Sequence, residues 1–444
     1  LRRYHRTALA QLTRSLTRLN ATAMVAGTII GASIFVQPSE IARHLDTPAT
    51  IMLAWAACGI LTLFGAFVCA ELASAFPQTG GVYVFMRETF SPLAGFLWGW
   101  AMFWSVHSGI IAAIAVVFGR YAGVFLPADL QGDAATRMLA VGVILALSAV
   151  NYVGVRAGSR LQTGLTIVKV AAIAALVVAG FSVAAPPMQT LAPVDGGGLT
   201  PFILAMVAGL FAFGGWHMVT YTAGETVLPT RTIPVALVVG VFIVTACYIA
   251  LNVVYMRLLP LDVIRSSTRI AADAADVIFG RGGAQLLSVL VILSAAGSLT
   301  GIILTGPRMY FSMAQDGLAP RLLSYVHPTF QTPARAIAAQ AVWASVLAAT
   351  GAYRQLFTRV IYTEWLFFAM LGIGLFVLRR RPGYDPPYRA WGFPVVPVIF
   401  IVVSLGIVLH QFVVDPMEAA VGLGLVALGA PVYYYLRHAN RRLS

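Results

Sequence analysis

Long runs of residues without Asp, Glu, Lys or Arg recur along the whole chain. A transmembrane helix needs about 20 mostly apolar residues, within a range of about 17–25. Twelve runs approach or exceed this length, and each predicts a helix that crosses a membrane. They cover residues 19–39, 47–70, 89–119, 138–155, 170–194, 196–224, 232–256, 282–307, 336–353, 365–378, 390–414 and 419–436.

Two of these runs match a span only after an ionisable residue is included. The run 365–378 is short alone, but it reaches span length if the helix takes in Glu364 and extends back to about Val360. The run 170–194 gives a helix of ordinary length if that helix starts near Gln162, which places Lys169 inside it. Ionisable side chains in membrane helices are costly, so both are candidates for a functional role.

The composition fits a membrane protein and excludes several other classes. Hydrophobic residues make up 59% of the 444 residues, and charged residues make up 10%. A soluble domain has about 45–50% apolar residues and about 25% charged residues. A soluble enzyme, a disordered regulator and a fibrous protein are therefore excluded. The formal charge of +13 could suggest a protein that binds nucleic acid. So apolar a chain, however, has no room for a basic binding face.

The arginines indicate which loops face the cytoplasm. Lys169 is the only lysine, so 28 of the 29 basic residues are arginine. With twelve spans, one side holds Arg2, Arg3, Arg6, Arg14, Arg18, Arg87, Arg156, Arg160, Arg231, Arg321, Arg335, Arg379, Arg380, Arg381, Arg389, Arg437, Arg441 and Arg442. Because such loops stay in the cytoplasm, we expect a plasma (inner) membrane protein with cytoplasmic tails at 1–18 and 438–444. The loop 257–283, on the other side, mixes both charges and predicts an amphipathic external helix.

Glycines interrupt the first and the sixth predicted helix near their middles. The first contains Gly27 and Gly31, and the sixth contains Gly209 followed by the pair Gly214 and Gly215. Interruptions at corresponding places in two halves are typical of secondary transporters. They predict two five-helix repeats, followed by two further helices. The first repeat covers 19–182, the second 200–378 and the last two helices 390–437.

An unwound turn inside a membrane frees amide and carbonyl groups that lipid cannot satisfy, so it is tolerated where it faces a cavity or a polar ligand. The half-helix that follows presents N–H donors and a positive dipole end to an anion, whereas the preceding half-helix ends in carbonyls that suit a cation. A zwitterion fits both ends. Helix packing through a Gly-xxx-Gly contact is the alternative for Gly27 and Gly31, and the matching break in the sixth helix favours a binding site.

Several motifs extend along nearly the whole chain. They are GTIIGASIFVQP (27–38), AELASAFPQTGGVYVF (70–85), NYVGVRAGSRLQTGLTIVK (151–169), FAFGGW (211–216), GETVLP (224–229), Arg308 with QDGLAP (315–320), TPARA (332–336) and RRRPGYDPPYRAWGFPVVP (379–397). In this order the chain resembles the amino acid–polyamine–organocation (APC) superfamily, most closely the L-type amino acid transporters of prokaryotic type. The resemblance implies an all-α integral membrane protein with the LeuT-like fold: twelve helices in two inverted five-helix repeats, with helices 1 and 6 broken.

The resemblance also assigns substrate-binding roles. It implies that backbone amides of Gly31, Ala32 and Ser33 hold the substrate carboxylate. It implies that the carbonyls of Ile29, Phe211 and Gly214 hold the amine, that the Phe211 ring is a gate, and that Trp216, His217, Tyr362 and Trp365 contribute to the pocket. Ser33 replaces a glycine of the family pattern, so its backbone must adopt a shape that serine allows. His217 stands where relatives often carry asparagine, which bears on side-chain selectivity.

Lys169 has three interpretations. It could snorkel to the membrane interface, or form a structural ion pair. In sodium-coupled relatives of this fold a Na⁺ ion lies between spans one, five and eight, and sodium-independent members place a lysine there. The resemblance therefore implies that the Lys169 ammonium replaces the ion, with Thr28, Ser294 and Ser298 nearby. A permanently charged Lys169 fits an exchanger, whereas a lysine that loses its proton in each cycle fits a proton symporter.

Other ionisable residues are weaker candidates. Glu71 and Glu225 are expected near cytoplasmic helix ends, in gating ion pairs or helix caps. Glu364, beside Trp365, could line the pocket and select cationic groups, and His107 is expected to be a hydrogen-bonded core residue. Animal relatives join a single-span glycoprotein through a cysteine between spans three and four. Residues 126–137 contain no cysteine, so we expect no disulfide-linked heavy chain, and no cofactor or metal is implied.

The sequence thus predicts a sodium-independent secondary transporter of amino acids that works by alternating access, and it favours an exchanger. A proton-coupled symporter with Lys169 as proton carrier is the alternative. A membrane-embedded enzyme would need clustered carboxylates, histidines or a metal motif, and the 16 acidic residues are scattered. A channel would need a polar pore-lining helix or a filter loop, and neither is recognisable.

Overall fold

The computed structural model describes residues 12–184, 198–267, 269–280 and 282–441. Within these residues the regular elements are helices, and the one contact of β type is a parallel bridge between Leu16 and Thr226. Some arginines used in the predicted topology lie outside the described residues: Arg2, Arg3, Arg6 and Arg442.

Eighteen α-helices follow one another along the described residues. Those of the first part are α1 (Arg18–Ile29), α2 (Gln37–His44), α3 (Pro48–Ala75), α4 (Val82–Thr89), α5 (Pro92–Ala101), α6 (His107–Gly123), α7 (Asp133–Val153) and α8 (Val155–Ser182). Those of the second part are α9 (Leu199–Ala212), α10 (Pro229–Leu258), α11 (Leu261–Ser266), α12 (Ile270–Phe279), α13 (Gly283–Gln315), α14 (Ala334–Thr350), α15 (Tyr353–Arg379), α16 (Val395–Val414), α17 (Pro416–Ala427) and α18 (Gly429–Arg441).

Shorter helical segments connect some of these helices. A π-helical turn, Met102–Val106, joins α5 to α6, and 3-10 segments cover Ser33–Phe35, Ala128–Leu130, Trp216–Glu225 and Arg321–Ser324. The Trp216–Glu225 segment continues the course of α9 after a short break. The Ser33–Phe35 segment has the corresponding position between α1 and α2.

Ten helices of the described residues are long and apolar enough to cross a membrane. They cover Pro48–Ala75, Pro92–Gly123, Asp133–Val153, Val155–Ser182, Leu199–Glu225, Pro229–Leu258, Gln285–Gln315, Arg359–Arg379, Val395–Val414 and Pro416–His438. Each coincides with one of the predicted runs, which confirms an all-helical, multi-pass membrane protein. Lys169 lies within α8 and Glu364 within α15, as the two adjusted runs predicted, but both helices begin earlier than expected, at Val155 rather than Gln162 and at Tyr353 rather than Val360.

The other two predicted runs have a different local structure. The run 19–39 is not one helix, because α1 ends at Ile29 and α2 begins at Gln37. The run 336–353 corresponds to α14, an apolar helix of 17 residues. Neither is therefore among the ten long helices of the described residues.

Burial distinguishes the central helices from those at the periphery. In the most apolar stretch of Gln285–Gln315, 67% of the residues are buried inside the protein, against 22% in Asp133–Val153. Both are apolar, because a membrane helix faces either protein or lipid hydrocarbon. The central helix α13 packs against α1, α6, α7 and α8, and α1 also packs against α10. The broken helix α1 is therefore enclosed by α8, α10 and α13.

The loop 257–283 does not contain the single helix that its charge pattern predicted. It forms two short helices, α11 and α12. Between them the Ser267 hydroxyl accepts a hydrogen bond from the Arg269 amide at 3.0 Å and lies 2.5 Å from the Asp273 carboxylate. Such local side-chain hydrogen bonds compete with helix formation, so the helix stops and starts again.

Candidate functional site

The two helix breaks face each other at the centre of the bundle. The Thr28 hydroxyl in α1 donates hydrogen bonds to the carbonyls of Met24 at 2.7 Å and Val25 at 3.1 Å, and it lies 3.3 Å from the Gly215 carbonyl in the other break. Gly215 has φ +93°, in the left-handed region that favours glycine. Thr28 therefore connects the two breaks.

A buried tyrosine, which the sequence analysis did not identify, joins the ends of the two half-helices. The hydroxyl of Tyr248, in α10, lies 3.1 Å from the carbonyl oxygen of Ile29 and 3.0 Å from that of Ala212. These carbonyls end α1 and α9, where intrahelical donors run out. An isolated tyrosine in an apolar run carries no sequence signal for this role.

Backbone donors are available after α1. Among the described residues, no hydrogen bond runs from the amides of Gly31, Ala32 or Ser33 to a backbone carbonyl, whereas the Phe35 amide donates to Ala32 at 3.1 Å. Ala32 has φ −73° and ψ −16°, and Ser33 begins a 3-10 turn. The chain turns here through helical dihedral angles, which explains why serine is accepted at this position.

The carbonyls predicted to hold an amine are partly engaged. The Ile29 carbonyl is near the Tyr248 hydroxyl, and the Phe211 carbonyl accepts a hydrogen bond from the Gly214 amide at 3.3 Å. A carbonyl oxygen has two lone pairs, so the Ile29 carbonyl retains capacity for a second donor. The Phe211 side chain is 45% exposed, and a methyl group added at Gly214 would meet one neighbouring atom, the Phe211 oxygen at 3.4 Å. The break therefore leaves open space at Gly214.

Lys169 is completely buried within a cluster of oxygen atoms. Its ammonium donates to the carbonyls of Gly27 at 3.1 Å, Ile30 at 2.6 Å and Ser294 at 3.0 Å, and its nitrogen lies 3.4 Å from the Ser298 hydroxyl. These oxygens belong to the end of α1 and to α13. The Lys169 nitrogen thus lies among uncharged oxygen atoms, the environment that a bound monovalent cation would have.

The two serines of α13 bind the unwound end of α1 directly. The Ser298 hydroxyl lies 3.0 Å from the Gly27 carbonyl and 2.9 Å from the Ile30 carbonyl, and the Ser294 hydroxyl lies 3.2 Å from the Gly31 carbonyl. Thr28 is not among the Lys169 contacts. Its hydroxyl faces the other break instead, so the structure brings Lys169, Ser294 and Ser298 together and places Thr28 beside them.

Glycines make this close packing possible. A methyl group added at Gly297 would lie 2.8 Å from the Lys169 nitrogen, and one at Gly27 would lie 2.1 Å from the Thr166 hydroxyl oxygen. Both distances are too short for real atoms. Gly27 therefore permits close contact between α1 and α8, which is the packing role considered for it from the sequence, and Gly297 makes room for the lysine.

A second polar group lies behind the break in the sixth helix. His217 is fully buried, and its Nε2 atom is 3.7 Å from the Glu364 carboxylate of α15. The Trp216 and His217 rings both pack on Phe368, with centroids 5.2 Å away in each case. Phe368 was not identified from the sequence, since a phenylalanine in an apolar run is ordinary.

The other residues predicted on α15 point elsewhere. The Tyr362 hydroxyl donates to the Ala419 carbonyl of α17, and its ring packs against Val408 and Ala419. Trp365 is partly buried, with its ring 5.5 Å from that of Phe368. Of the three residues singled out on α15, Glu364 is the one in contact with His217.

Buried ion pairs connect the helix ends beyond the two breaks. Glu225 and Arg308 are both fully buried and form two hydrogen bonds, at 2.7 and 3.1 Å. The Glu225 carbonyl also accepts from the amides of Ser15 and Leu16, at 2.8 and 2.9 Å, which ties the segment before α1 to the end of the sixth helix. Glu71 pairs with Arg379 at 2.5 Å. Both acidic residues are thus in ion pairs.

The described residues contain no group of three or more His, Cys, Asp and Glu side chains that could hold a metal ion. The site consists of two helix breaks, the Lys169 oxygen cluster and the pair of His217 and Glu364. Its donors and acceptors suit binding of a small polar molecule, and its position at the centre of the bundle suits passage across a membrane.

Comparison with known proteins matches the chain over nearly its full length. A family model described as amino acid permease matches residues 16–429. The serine/threonine exchanger SteT of Bacillus subtilis (strain 168) is 30% identical over 432 residues, which cover 96% of this chain and 97% of that protein. The cystine/glutamate transporter of Homo sapiens is 28% identical, covering 96% and 85%. The b(0,+)-type amino acid transporter 1 of Mus musculus is 27% identical, covering 94% and 86%.

Proposed function

Because the chain belongs to the amino acid permease family of the APC superfamily, we propose that it is a sodium-independent amino acid exchanger that works by alternating access. The relatives named above are transporters or exchangers of amino acids rather than enzymes. The observation that carries the sodium independence is the Lys169 ammonium, which is enclosed by oxygens of α1 and α13.

The substrate binds between the two helix breaks. Its carboxylate accepts hydrogen bonds from the amides of Gly31, Ala32 and Ser33, which make no backbone hydrogen bond within the described residues. Its ammonium donates to carbonyls at the ends of α1 and α9. An anion at the start of a half-helix and a cation at the end of another are each favoured by the aligned peptide dipoles.

Lys169 supplies a fixed positive charge at the unwound end of α1. A Na⁺ ion at this place would use the same carbonyl and hydroxyl oxygens, so the ammonium makes a sodium ion unnecessary. The charge stays in place while substrate moves, which suits exchange of one amino acid for another. Lys169 as a carrier that gains and loses a proton in each cycle is the alternative, and it would make the protein a proton-coupled symporter.

The interrupted first helix and α14 complete twelve crossings in two inverted five-helix repeats. The tails then lie on one side, and the arginine distribution places that side in the cytoplasm. The protein acts without a disulfide-linked partner. This proposal is supported by its three cysteines, since Cys58 and Cys69 are buried in α3 and Cys247 is half-buried in α10.

Counterflow in proteoliposomes tests the function. Vesicles containing the purified protein are preloaded with one unlabelled amino acid and diluted into the same labelled amino acid, with choline in place of sodium. We expect accumulation of label that requires the preload, and equal rates with and without sodium. Protein-free vesicles are the control.

Other outcomes would contradict parts of the proposal. Accumulation without preload, driven by an imposed pH gradient, would favour proton symport over exchange. A strict requirement for sodium would contradict the role of Lys169 as a replacement for the ion. Absence of counterflow for every standard amino acid would reject amino acid transport.

A further inference from the structure

His217 is a buried histidine whose hydrogen-bonding capacity the protein does not use. Its side chain has no exposed surface, and neither ring nitrogen has a hydrogen-bond partner. A buried polar group without a partner is costly. A functional protein retains such a group where something outside the static structure, such as a proton or a ligand, binds to it.

Glu364 is the acidic group facing this histidine. The Oε1 atom of Glu364 lies 3.7 Å from Nε2 of His217, slightly too far for a hydrogen bond. Among the described residues, neither side chain forms an ion pair with an arginine or with Lys169. A carboxylate buried at this depth without a cation is unfavourable. A proton between the two groups removes that cost.

The other titratable groups of this region are two tyrosines, a histidine and a cysteine. They are Tyr221 on the same segment, His107 at the start of α6, Tyr310 on α13 and Cys69 on α3. The His107 Nδ1 atom lies 3.3 Å from the Tyr310 hydroxyl and is thereby engaged. Nε2 of His107 and the Tyr221 hydroxyl also lack a hydrogen-bond partner, but among the described residues Glu364 is the acidic side chain that lies within 4.0 Å of a His217 nitrogen.

The surroundings of His217 select a very small ligand. Four aromatic rings surround the imidazole: those of Trp98, Trp216, Tyr221 and Phe368 have centroids between 5.2 and 5.7 Å from it. Rings at this distance fill the space around the imidazole. A proton fits this environment without displacing a ring, whereas a hydrated cation or a substrate side chain does not.

We propose that His217 and Glu364 form a proton-binding site, in which one proton is shared between Nε2 and Oε1, separate from Lys169. His217 lies two residues after Gly215, and Glu364 belongs to α15. The shared proton makes a hydrogen bond between the unwound segment of the sixth helix and α15. Loss of the proton leaves a carboxylate facing a neutral imidazole and weakens that connection. Its effect on transport rests on the proposed function, whereas the proton site itself does not.

Infrared difference spectroscopy tests the site directly. Spectra of purified, reconstituted protein at low and high pH report carboxylic acid and imidazole bands, and they are compared between wild type, Glu364→Gln and His217→Asn. We expect the pH-dependent bands of the pair to be lost in both variants. Glu40→Gln, which removes an exposed carboxylate 39% accessible to solvent, should leave them in place.

Unchanged bands in both variants would overturn the proposal. So would a change in one variant alone, because a shared proton requires both groups. Each variant is measured only when the purified protein elutes as a single species. If His217→Asn does not fold, His217→Gln takes its place.

Counterflow as a function of pH then tests the connection to transport. We expect the wild-type rate to depend on pH over the range in which the infrared bands change, and this dependence to be lost in Glu364→Gln and kept in Glu40→Gln. A dependence that survives in Glu364→Gln would overturn the link to transport. Absence of wild-type counterflow would reject the proposed function and leave the infrared result valid.

Discussion

At the scale of single residues, Lys169 shows how a buried charge is tolerated in a membrane helix. Three carbonyls and a hydroxyl surround its ammonium, and none of these groups is charged. A charge at the bilayer centre costs at least about 2.5–3.5 kcal/mol on insertion scales. Hydrogen bonds to the ammonium offset part of that cost, and Gly297 leaves the space that the side chain needs.

We expect Lys169→Ala to abolish amino acid uptake. Removal of the ammonium takes one donor from each of the carbonyls of Gly27 and Ile30 and leaves the serine hydroxyls of α13 to hold them, so the unwound end of α1 loses part of its support. The measurement is sodium-free counterflow in proteoliposomes. Arg43→Ala, which removes a cation that is 44% exposed, is the matched control and should keep wild-type uptake. Full activity of Lys169→Ala would contradict the assigned role.

At the scale of elements, the two breaks have different local causes. The sixth helix ends at Ala212 and the chain resumes its helical course after Gly215, which has φ +93°, whereas the first helix is capped by Ile30, where a ψ of 88° leaves the helical region without a positive φ. Tertiary hydrogen bonds from Ser294, Ser298 and Tyr248 hold the free carbonyls of the first break. One break is thus encoded locally by glycine, and the other depends on neighbouring helices.

We expect Gly215→Ala to lower stability by roughly 1 kcal/mol, because alanine is strained at positive φ. Gly214→Ala is the matched control, since an added methyl there meets one atom at ordinary distance and Gly214 is not among the positive-φ glycines. Thermal unfolding of both variants in the same detergent is the measurement. Equal loss of stability in the two variants would contradict the assignment of strain to Gly215.

At the scale of the whole molecule, ion pairs join distant parts of the chain beyond the breaks. Glu225 with Arg308 and Glu71 with Arg379 each connect helices that are far apart in sequence. The Tyr83 hydroxyl lies 2.6 Å from the Asp316 carboxylate, and burial, together with the Asp316 charge, raises the pKa of Tyr83. Under the proposed alternating access, contacts of this kind between distant parts of the chain would have to open.

We expect Glu225→Gln alone to destabilise the protein by about 3–5 kcal/mol, because it leaves the Arg308 charge buried without a partner. The double variant Glu225→Gln with Arg308→Gln should be less destabilised than the sum of the two single variants. Thermal unfolding of the three variants in one detergent measures this. Additive losses would show that the two side chains are independent. Glu418→Gln, in a half-exposed pair with Arg359, is the control and should have a small effect.

The apolar runs by themselves determined that the protein is a multi-pass, all-helical membrane protein, because hydrocarbon requires long apolar helices with internally satisfied backbones. The glycine pattern located both breaks, and the motifs indicated the family. The pairing of Glu364 with His217, the bridging role of Tyr248 and the direction of Tyr362 toward α17 were decided by the tertiary structure. Inside an apolar run the sequence has no period that tells which side chains face each other. Helix packing alone brings residues 57, 147 or 219 positions apart into contact.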